Sequence, residues 1–130
     1  MRLLFDTHVL VWAAASPERL PRELVDLISD PTNVRHFSAA SVWEIAIKAQ
    51  LGRPDFQHDA SVLRLGLLQN AYAELPITGR HALAAGALPP VHRDPFDRML
   101  VAQAAEEELI LVTMDAAVAA YPGPIRFIRR

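Results

Sequence analysis

The sequence predicts an α/β fold, a three-layer sandwich in which a mainly parallel sheet lies between two layers of helices. The segment Leu3–Phe5 is continuously apolar, as expected of a strand that is covered by helices on both faces. Short apolar segments of this kind alternate with helical patterns along the chain, which is typical of parallel strands joined by crossover helices. With 130 residues, of which 52% are hydrophobic and 22% charged, the chain is predicted to form one domain, residues 1–130.

The first predicted strand, Arg2–Phe5, ends at the carboxylate of Asp6. A helix is predicted to follow over Val9–Ala14, where the sequence stays apolar. A second helix, Arg22–Ser29, begins after Pro21 and carries apolar residues at helical spacing.

The next strand is predicted over Val34–Phe37. Ser38 and Ser41 are both candidates for the N-cap of the following helix, Val42–Leu51, and Gly52 marks its end. The sequence alone does not choose between the two caps.

The two tryptophans are predicted to lie mainly in the hydrophobic core, because each has apolar neighbours at helical spacing. The open alternative is that some of these residues line an apolar groove for a partner or a dimer face. Trp12 follows Leu10 and Val11, and Trp43 lies one helical turn before Ile47.

The middle of the chain predicts a further helix, strand and helix. The helix covers Ala60–Asn70 and the strand covers Ala73–Ile77. Pro76 has no amide hydrogen to donate, which puts this strand at an edge of the sheet or Pro76 at its end. Thr78 is then the predicted cap of a helix that extends to Ala85.

The best-defined helix begins at the N-cap Asp94, with Pro95 at the first helical position and Asp97 three residues after the cap. The remaining predicted elements are a buried strand, a short helix and a last strand: Leu109–Val112, Ala116–Ala120 and Ile125–Ile128.

Four acids are predicted to meet at one edge of the sheet. Asp6 and Asp115 follow strands, and Glu44 and Asp97 lie in the first turns of helices. In a parallel sheet these positions share the carboxyl edge, where ligands bind in open α/β folds. Each acid also has a purely structural interpretation: a helix cap for Asp6 and Asp115, a favourable helix dipole for Asp97, and an ion pair with Lys48 for Glu44.

Carboxylates brought this close repel one another, so their pKa values rise unless a cation neutralises them. A cluster of hard oxygen ligands suits Mg²⁺ or Mn²⁺, which retain positions for water and phosphate oxygens. The chemistry that fits is hydrolysis of a phosphodiester by a water that the metal activates.

The composition limits which binding partners and which cellular compartment are expected. A net charge of −2 argues against a generally basic protein that coats nucleic acid, although a local basic rim stays open. There is no cysteine, which excludes disulfides and thiolate metal sites. Asp6 and His8 interrupt the apolar segment at the N-terminus, so no signal peptide is expected. No apolar segment is long enough to span a bilayer. We therefore expect a soluble, cytoplasmic protein.

Four segments carry a family resemblance: Leu4–His8, Ser41–Ile45, His92–Ala104 and Leu111–Asp115. Together they resemble a PIN domain and, more narrowly, the VapC-type toxins of bacterial toxin–antitoxin pairs. The Asp-Pro-Phe-Asp-Arg run within the third segment is the most specific part. The resemblance implies a Mg²⁺- or Mn²⁺-dependent endoribonuclease, neutralised by a small VapB-type antitoxin and forming homodimers.

The resemblance also implies residue roles. The acidic quartet that holds the metal and carries catalysis corresponds to Asp6, Glu44, Asp97 and Asp115. Asp94 is interpreted as the helix cap and Asp97 as the metal ligand, and that choice stays open.

Four further residues are candidates for contacting RNA: His92, Arg93, Arg98 and Thr113. Thr113 matches a hydroxyl that often accompanies the last acid of the family. Arg98 has an equally weighted alternative, an ion pair with a nearby acid. His92 either contacts phosphate or orders its loop.

Rival functions remain. A receiver domain needs a pair of acids after the first strand, but Thr7 follows Asp6, and a dinucleotide-binding protein needs a glycine-rich first turn, which is missing. The open alternatives are a non-catalytic RNA-binding module and a housekeeping RNA-processing PIN module. The RNA target is not predicted; transfer, ribosomal and messenger RNA all stay open.

Overall fold

A computed structural model describes residues 1–130 of the chain. Its centre is a five-stranded sheet in the order β3-β2-β1-β4-β5, and every neighbouring pair is parallel. The strands are Arg2–Phe5 (β1), Val34–Ser38 (β2), Ala73–Leu75 (β3), Ile110–Thr113 (β4) and Ile125–Phe127 (β5). β1 is therefore the central strand, as its continuously apolar sequence predicts.

Seven α-helices connect and cover the strands: Thr7–Ala15 (α1), Arg22–Ser29 (α2), Ala39–Gln50 (α3), Ala60–Gln69 (α4), Gly79–Ala87 (α5), Pro95–Glu107 (α6) and Ala116–Ala119 (α7). No helix has the length and apolar composition that a membrane crossing needs.

The hydrophobic core is divided by the sheet into two parts. Leu3 and Phe5 of β1 pack with residues of α1, α2 and α4 on one face. Leu4 points to the other face, where it packs with Leu100 and Val101 of α6. Because successive side chains of a strand alternate between faces, one apolar strand anchors both layers. The predicted α/β three-layer sandwich is thereby confirmed.

Some helix and strand boundaries differ from the predicted ones, because local hydrogen bonds and proline decide where these elements begin and end. Ser38, not Ser41, is the N-cap of α3, because the Ser38 hydroxyl accepts a hydrogen bond from the Ala40 amide at 3.0 Å. β3 ends at Leu75, immediately before Pro76, and lies at the edge of the sheet, as the proline predicts.

The expectation that both tryptophans lie in the core is correct for one of them. Trp12 is 8% exposed, whereas Trp43 is 61% exposed and Ile47 is only partly buried. The buried side of α3 carries Glu44 and Ile45 instead. Helical spacing identifies which residues share a face, but the packing of α3 against the rest of the molecule decides which face is buried.

Candidate active site at the carboxyl edge of the sheet

A small polar cleft opens at the carboxyl ends of β1 and β4. Its volume is about 210 Å³, and no hydrophobic residue lines it. The lining residues are Asp6, Thr7, His8, Glu44, Lys48, His92, Asp94, Asp97 and Asp115. The structure thus brings all four predicted acids together with a fifth, Asp94, against a single lysine. Sequence topology alone located this convergence.

Asp6 is the most firmly held acid of the cleft. Its side chain is 4% exposed, and one carboxylate oxygen accepts a hydrogen bond from the Val9 amide at 3.2 Å, which caps α1. The other oxygen accepts a hydrogen bond from the Thr113 hydroxyl of β4. Burial is the main cause that raises the pKa of Asp6, and these two hydrogen bonds act in the opposite direction.

The expectation that Thr113 contacts RNA is wrong. Thr113 is fully buried, and its hydroxyl also accepts a hydrogen bond from the Asp115 amide at 3.0 Å. A buried side chain cannot reach a substrate in the cleft. Thr113 instead positions Asp6 and fixes the backbone at Asp115, since one hydroxyl joins both.

Glu44 is both an ion-pair partner and a residue of the cleft. Its side chain is almost fully buried, with one oxygen 2.5 Å from Lys48 Nζ and the other accepting from the Thr7 hydroxyl at 2.6 Å. The predicted pair with Lys48 is confirmed, but it is not a surface pair. Sequence analysis missed Lys48 and Thr7 as cleft residues; the i, i+4 spacing of Glu44 and Lys48 and the position of Thr7 after Asp6 were the available signals.

Asp97 lies in the first turn of α6 and faces the other acids. Its Oδ2 is 2.9 Å from His92 Nε2. Burial, followed by repulsion from Asp94, Glu44 and Asp6, raises the pKa of Asp97 from 3.8 to about 7, while the hydrogen bond with His92 lowers it. Asp97 is therefore destabilised in its charged form first by burial and then by the other acids of the cleft.

Asp94 combines two roles that sequence analysis treated as alternatives. Its Oδ1 caps α6 by accepting from the amides of Phe96 and Asp97 at 2.9 and 3.3 Å, as predicted. Potential ligand atoms of His92, Asp94 and Asp97 also lie within 4.8 Å of one another. The cap therefore does not remove Asp94 from the site, and the imidazole of His92 joins the available donors.

Asp115 is the exposed acid of the group. One of its carboxylate oxygens caps the short helix α7 by accepting from the Ala117 amide at 2.9 Å, so the capping interpretation is confirmed. The side chain also lines the cleft.

Neither expectation for Arg98 is correct. Its guanidinium contacts no acid and does not face the cleft. It donates to the carbonyl oxygens of Ala85, Leu88, Pro89 and His92 and to the Tyr121 hydroxyl, at 2.9 to 3.5 Å. Arg98 therefore fixes the loop between α5 and α6, and this loop presents His92 to Asp97.

Arg98→Ala is expected to lower the free energy of unfolding by about 2–3 kcal/mol, because several carbonyl oxygens lose a charged donor at once. Urea denaturation followed by circular dichroism measures the change. Arg93→Ala is the matched control: Arg93 is exposed and forms no hydrogen bond or ion pair, so its replacement is expected to change stability by less than about 0.5 kcal/mol. Equal stability of the two variants would contradict this role for Arg98.

Comparison with known proteins decides the family. The sequence matches the PIN domain family model over residues 3–124. The chain belongs to the PIN domain family. The resemblance seen in the four sequence segments is therefore confirmed at the level of the family. No curated protein sequence shows significant similarity to this PIN domain.

Three solved structures with a similar fold are two VapBC structures and one toxin–antitoxin complex. VapBC2 from Rickettsia felis, bound to a DNA fragment from its promoter, has a TM-score of 0.70 at 14% identity, with 98% of each chain covered. A toxin–antitoxin complex from Klebsiella pneumoniae has a TM-score of 0.66 at 20% identity, with 95% of each chain covered. VapBC-1 from nontypeable Haemophilus influenzae has a TM-score of 0.64 at 15% identity, with 98% of each chain covered. At these identities the likeness establishes the shared fold of the PIN domain.

The cleft of this PIN domain fits a divalent metal. Five carboxylates face one lysine, and the remaining polar donors are hydroxyl and imidazole groups. Burial, followed by repulsion from the neighbouring acids, raises the pKa of Asp97, and a bound cation would relieve that repulsion. Hard oxygen donors of this kind suit Mg²⁺ or Mn²⁺.

Proposed function

We propose that this PIN domain, residues 1–130, is a Mg²⁺- or Mn²⁺-dependent endoribonuclease that hydrolyses RNA phosphodiesters as the toxin of a toxin–antitoxin pair. The observation that supports this most is the gathering of Asp6, Glu44, Asp97 and Asp115 in one cleft with an excess of negative charge. A cleft of this kind repels RNA unless cations are held in it, so metal and substrate binding are expected to depend on each other.

The proposed metal ligands are Asp6, Asp97 and Asp115, with Glu44 next to them. A divalent ion held there supplies the charge that offsets the phosphate and lowers the pKa of a water. Glu44 already engages Thr7 and Lys48 with its two oxygens. Glu44 is therefore expected to contact the metal ion through a bridging water, or to bind it directly once Lys48 moves away from the carboxylate.

The other residues of the site hold these carboxylates in place. Thr113 fixes the orientation of Asp6, and His92 contacts Asp97. In metal sites, removing a group that orients a ligand commonly lowers metal affinity or activity by about 10–100-fold. Arg93, exposed at the rim beside His92, is the proposed contact to the RNA backbone.

The proposed partner is a small VapB-type antitoxin, and the proposed assembly is a cytoplasmic homodimer. The partner is supported by the three structural relatives, of which two are described as VapBC and one as a toxin–antitoxin complex. The homodimer is supported by exposed aromatic surface: Trp43 is 61% exposed and packs edge-on against Phe96 at 5.4 Å between ring centroids.

The alternative functions differ in what they require of the acids. A non-catalytic RNA-binding module gains nothing from five carboxylates that repel phosphate. A housekeeping RNA-processing PIN module would share the chemistry but not the inhibition by an antitoxin.

One assay separates these functions. The purified protein is incubated with labelled single-stranded RNA in Mg²⁺, in Mn²⁺ and in EDTA, with and without the purified product of the neighbouring gene. We expect cleavage with either metal, none in EDTA, and suppression by the neighbouring product. Cleavage that persists in EDTA contradicts the metal proposal, and cleavage unaffected by the neighbouring product favours the housekeeping alternative. Sequencing cellular RNA ends after brief expression then identifies the target.

A further inference from the structure

A second cavity adjoins the acidic cleft and differs from it in charge. Its volume is about 280 Å³. It shares Asp6, His8 and Asp115 with the cleft, so the two cavities lie side by side at these residues. The cavity is also lined by Arg130, which does not line the cleft. An RNA strand that extends from the acidic cleft into this cavity would therefore pass from carboxylates to a guanidinium.

The guanidinium of Arg130 is one of two that lie against the same indole. The Arg130 guanidinium carbon is 4.8 Å from the centroid of the Trp12 ring, and that of Arg19 is 4.0 Å from it. Trp12 itself is 8% exposed and belongs to the core. Cation–π stacking on an immobile ring restricts both arginines while leaving their N–H groups available.

These N–H groups have no partner within the protein. Most of the 12 arginines donate to a carboxylate, a carbonyl or a hydroxyl, or lie in an ion pair. Four have side chains that form no hydrogen bond or ion pair: Arg19, Arg93, Arg129 and Arg130. Two of these four stack on Trp12, and one of the two lines a cavity that contains Asp6 and Asp115. An arginine that is held in place beside two acids, yet pairs with neither, is arranged to meet an external anion.

We propose that Arg130, which lines the second cavity, and Arg19, which stacks on the same indole outside it, form a phosphate subsite that binds the backbone of single-stranded RNA next to the phosphate that is cut. This rests on the proposed function, because the strand is placed by the acidic cleft. Guanidinium groups match phosphate oxygens with paired N–H donors, which a lysine does not offer. The subsite also supplies the attraction that the negatively charged cleft lacks.

The experiment measures binding separately from cleavage. Two proteins are compared, both carrying Asp6→Asn so that they do not cut the substrate: one retains Arg19 and Arg130, and the other carries Arg19→Gln and Arg130→Gln. Their affinity for a fluorescent single-stranded RNA is measured with Mg²⁺ at several salt concentrations. We expect Kd to rise about tenfold. The slope of log affinity against log salt should become shallower by about 0.7 for each phosphate that the variant no longer binds. Arg129→Gln is the matched control, because Arg129 is an exposed arginine without a partner that does not stack on Trp12.

In the active protein, the double substitution is expected to raise KM by more than it lowers kcat. An unchanged Kd and an unchanged salt slope would overturn the subsite. If only the melting temperature falls, the two arginines stabilise the fold and do not bind RNA, which also overturns it. Weaker binding of the neighbouring gene's product with unchanged RNA affinity would also overturn it. If the wild-type protein does not cut RNA but the arginine substitutions still lower RNA affinity, the nuclease proposal fails and the subsite stands. If the Asp6→Asn protein binds no RNA and the wild-type protein neither binds nor cuts it, both fail; if only the Asp6→Asn protein fails to bind, the KM of the active protein decides.

Discussion

Replacing Asp6 by asparagine is expected to reduce RNA cleavage by about a thousandfold, which corresponds to a loss of about 4 kcal/mol of transition-state stabilisation. Asp6 lies at the end of the central strand and lines both the acidic cleft and the cavity beside it. The substitution removes the negative charge of Asp6. It also leaves one side-chain oxygen instead of two to coordinate a cation or to accept a hydrogen bond. The cleavage rate of a labelled RNA at saturating Mg²⁺ measures the effect.

The folded structure is expected to survive this substitution. The remaining carbonyl oxygen of the asparagine can still accept from the Val9 amide and cap α1. Removing the charge of a buried carboxylate also relieves the burial cost that raises the pKa of Asp6. We therefore expect the free energy of unfolding to change by about 1 kcal/mol or less.

The control is Asp26→Asn, which removes an exposed acid of α2 that pairs only with Arg22. This variant has the same change in net charge and should cut RNA at the wild-type rate. A folded Asp6→Asn protein with normal cleavage would remove the basis of the metal proposal.

Sequence reasoning located the acids because topology alone determines their placement. Asp6 and Asp115 follow neighbouring parallel strands, paired through Leu4 and Leu111, so their positions are set once the sheet is parallel. Asp97 lies in the first turn of α6 at the same edge, as expected. The expectation that Glu44 lies in a first turn is wrong, because α3 begins at Ala39 and Glu44 falls in its second turn, where the side chain still reaches the cleft. These inferences need only the alternation of strands and helices, which the apolar pattern shows.

Sequence reasoning was less successful where a side chain had several partners to choose from. Arg98 lies one position after Asp97 and suggested a contact with RNA or with an acid, but the carbonyl oxygens of the α5–α6 loop take its donors. Nothing in the local sequence indicates where that loop passes. Thr113 similarly has polar neighbours in the sequence, yet its orientation toward Asp6 follows from the pairing of β1 with β4.

The loop before α4 shows a different limit. The sequence of residues 53–58 predicts a loop, and Pro54–Phe56 instead form a short 3₁₀ turn that buries Phe56 completely. A single aromatic residue among polar ones has no periodicity to reveal its burial. Its neighbour in space is His8, whose ring lies 5.2 Å from that of Phe56 at the rim of the cleft.

Without metal, the free energy of unfolding is expected to fall as the pH rises from about 4 to 7. Asp97 has a pKa of about 7 in the folded protein, against 3.8 for the ordinary carboxyl group. Between these values the folded state binds more protons than the unfolded state, so the slope of stability against pH is negative. The stabilising effect is complete below the lower pKa and lost above the higher one, with a total of at most about 4 kcal/mol.

A divalent ion should reverse this dependence, because it replaces the proton as the positive charge that the acids share. Below about pH 7 a proton must leave Asp97 before the ion binds, so the apparent metal affinity is expected to drop by up to about tenfold per pH unit. Thermal unfolding at several pH values, in EDTA and in Mn²⁺, should show a stabilisation by Mn²⁺ that grows toward pH 8. Asp97→Asn has no such proton to release, so its stability in EDTA should not fall in the same range and its response to Mn²⁺ should be weak. If wild type and Asp97→Asn share the same pH profile in both solutions, Asp97 does not bind the metal, and the charge balance of the cleft must be held by other acids.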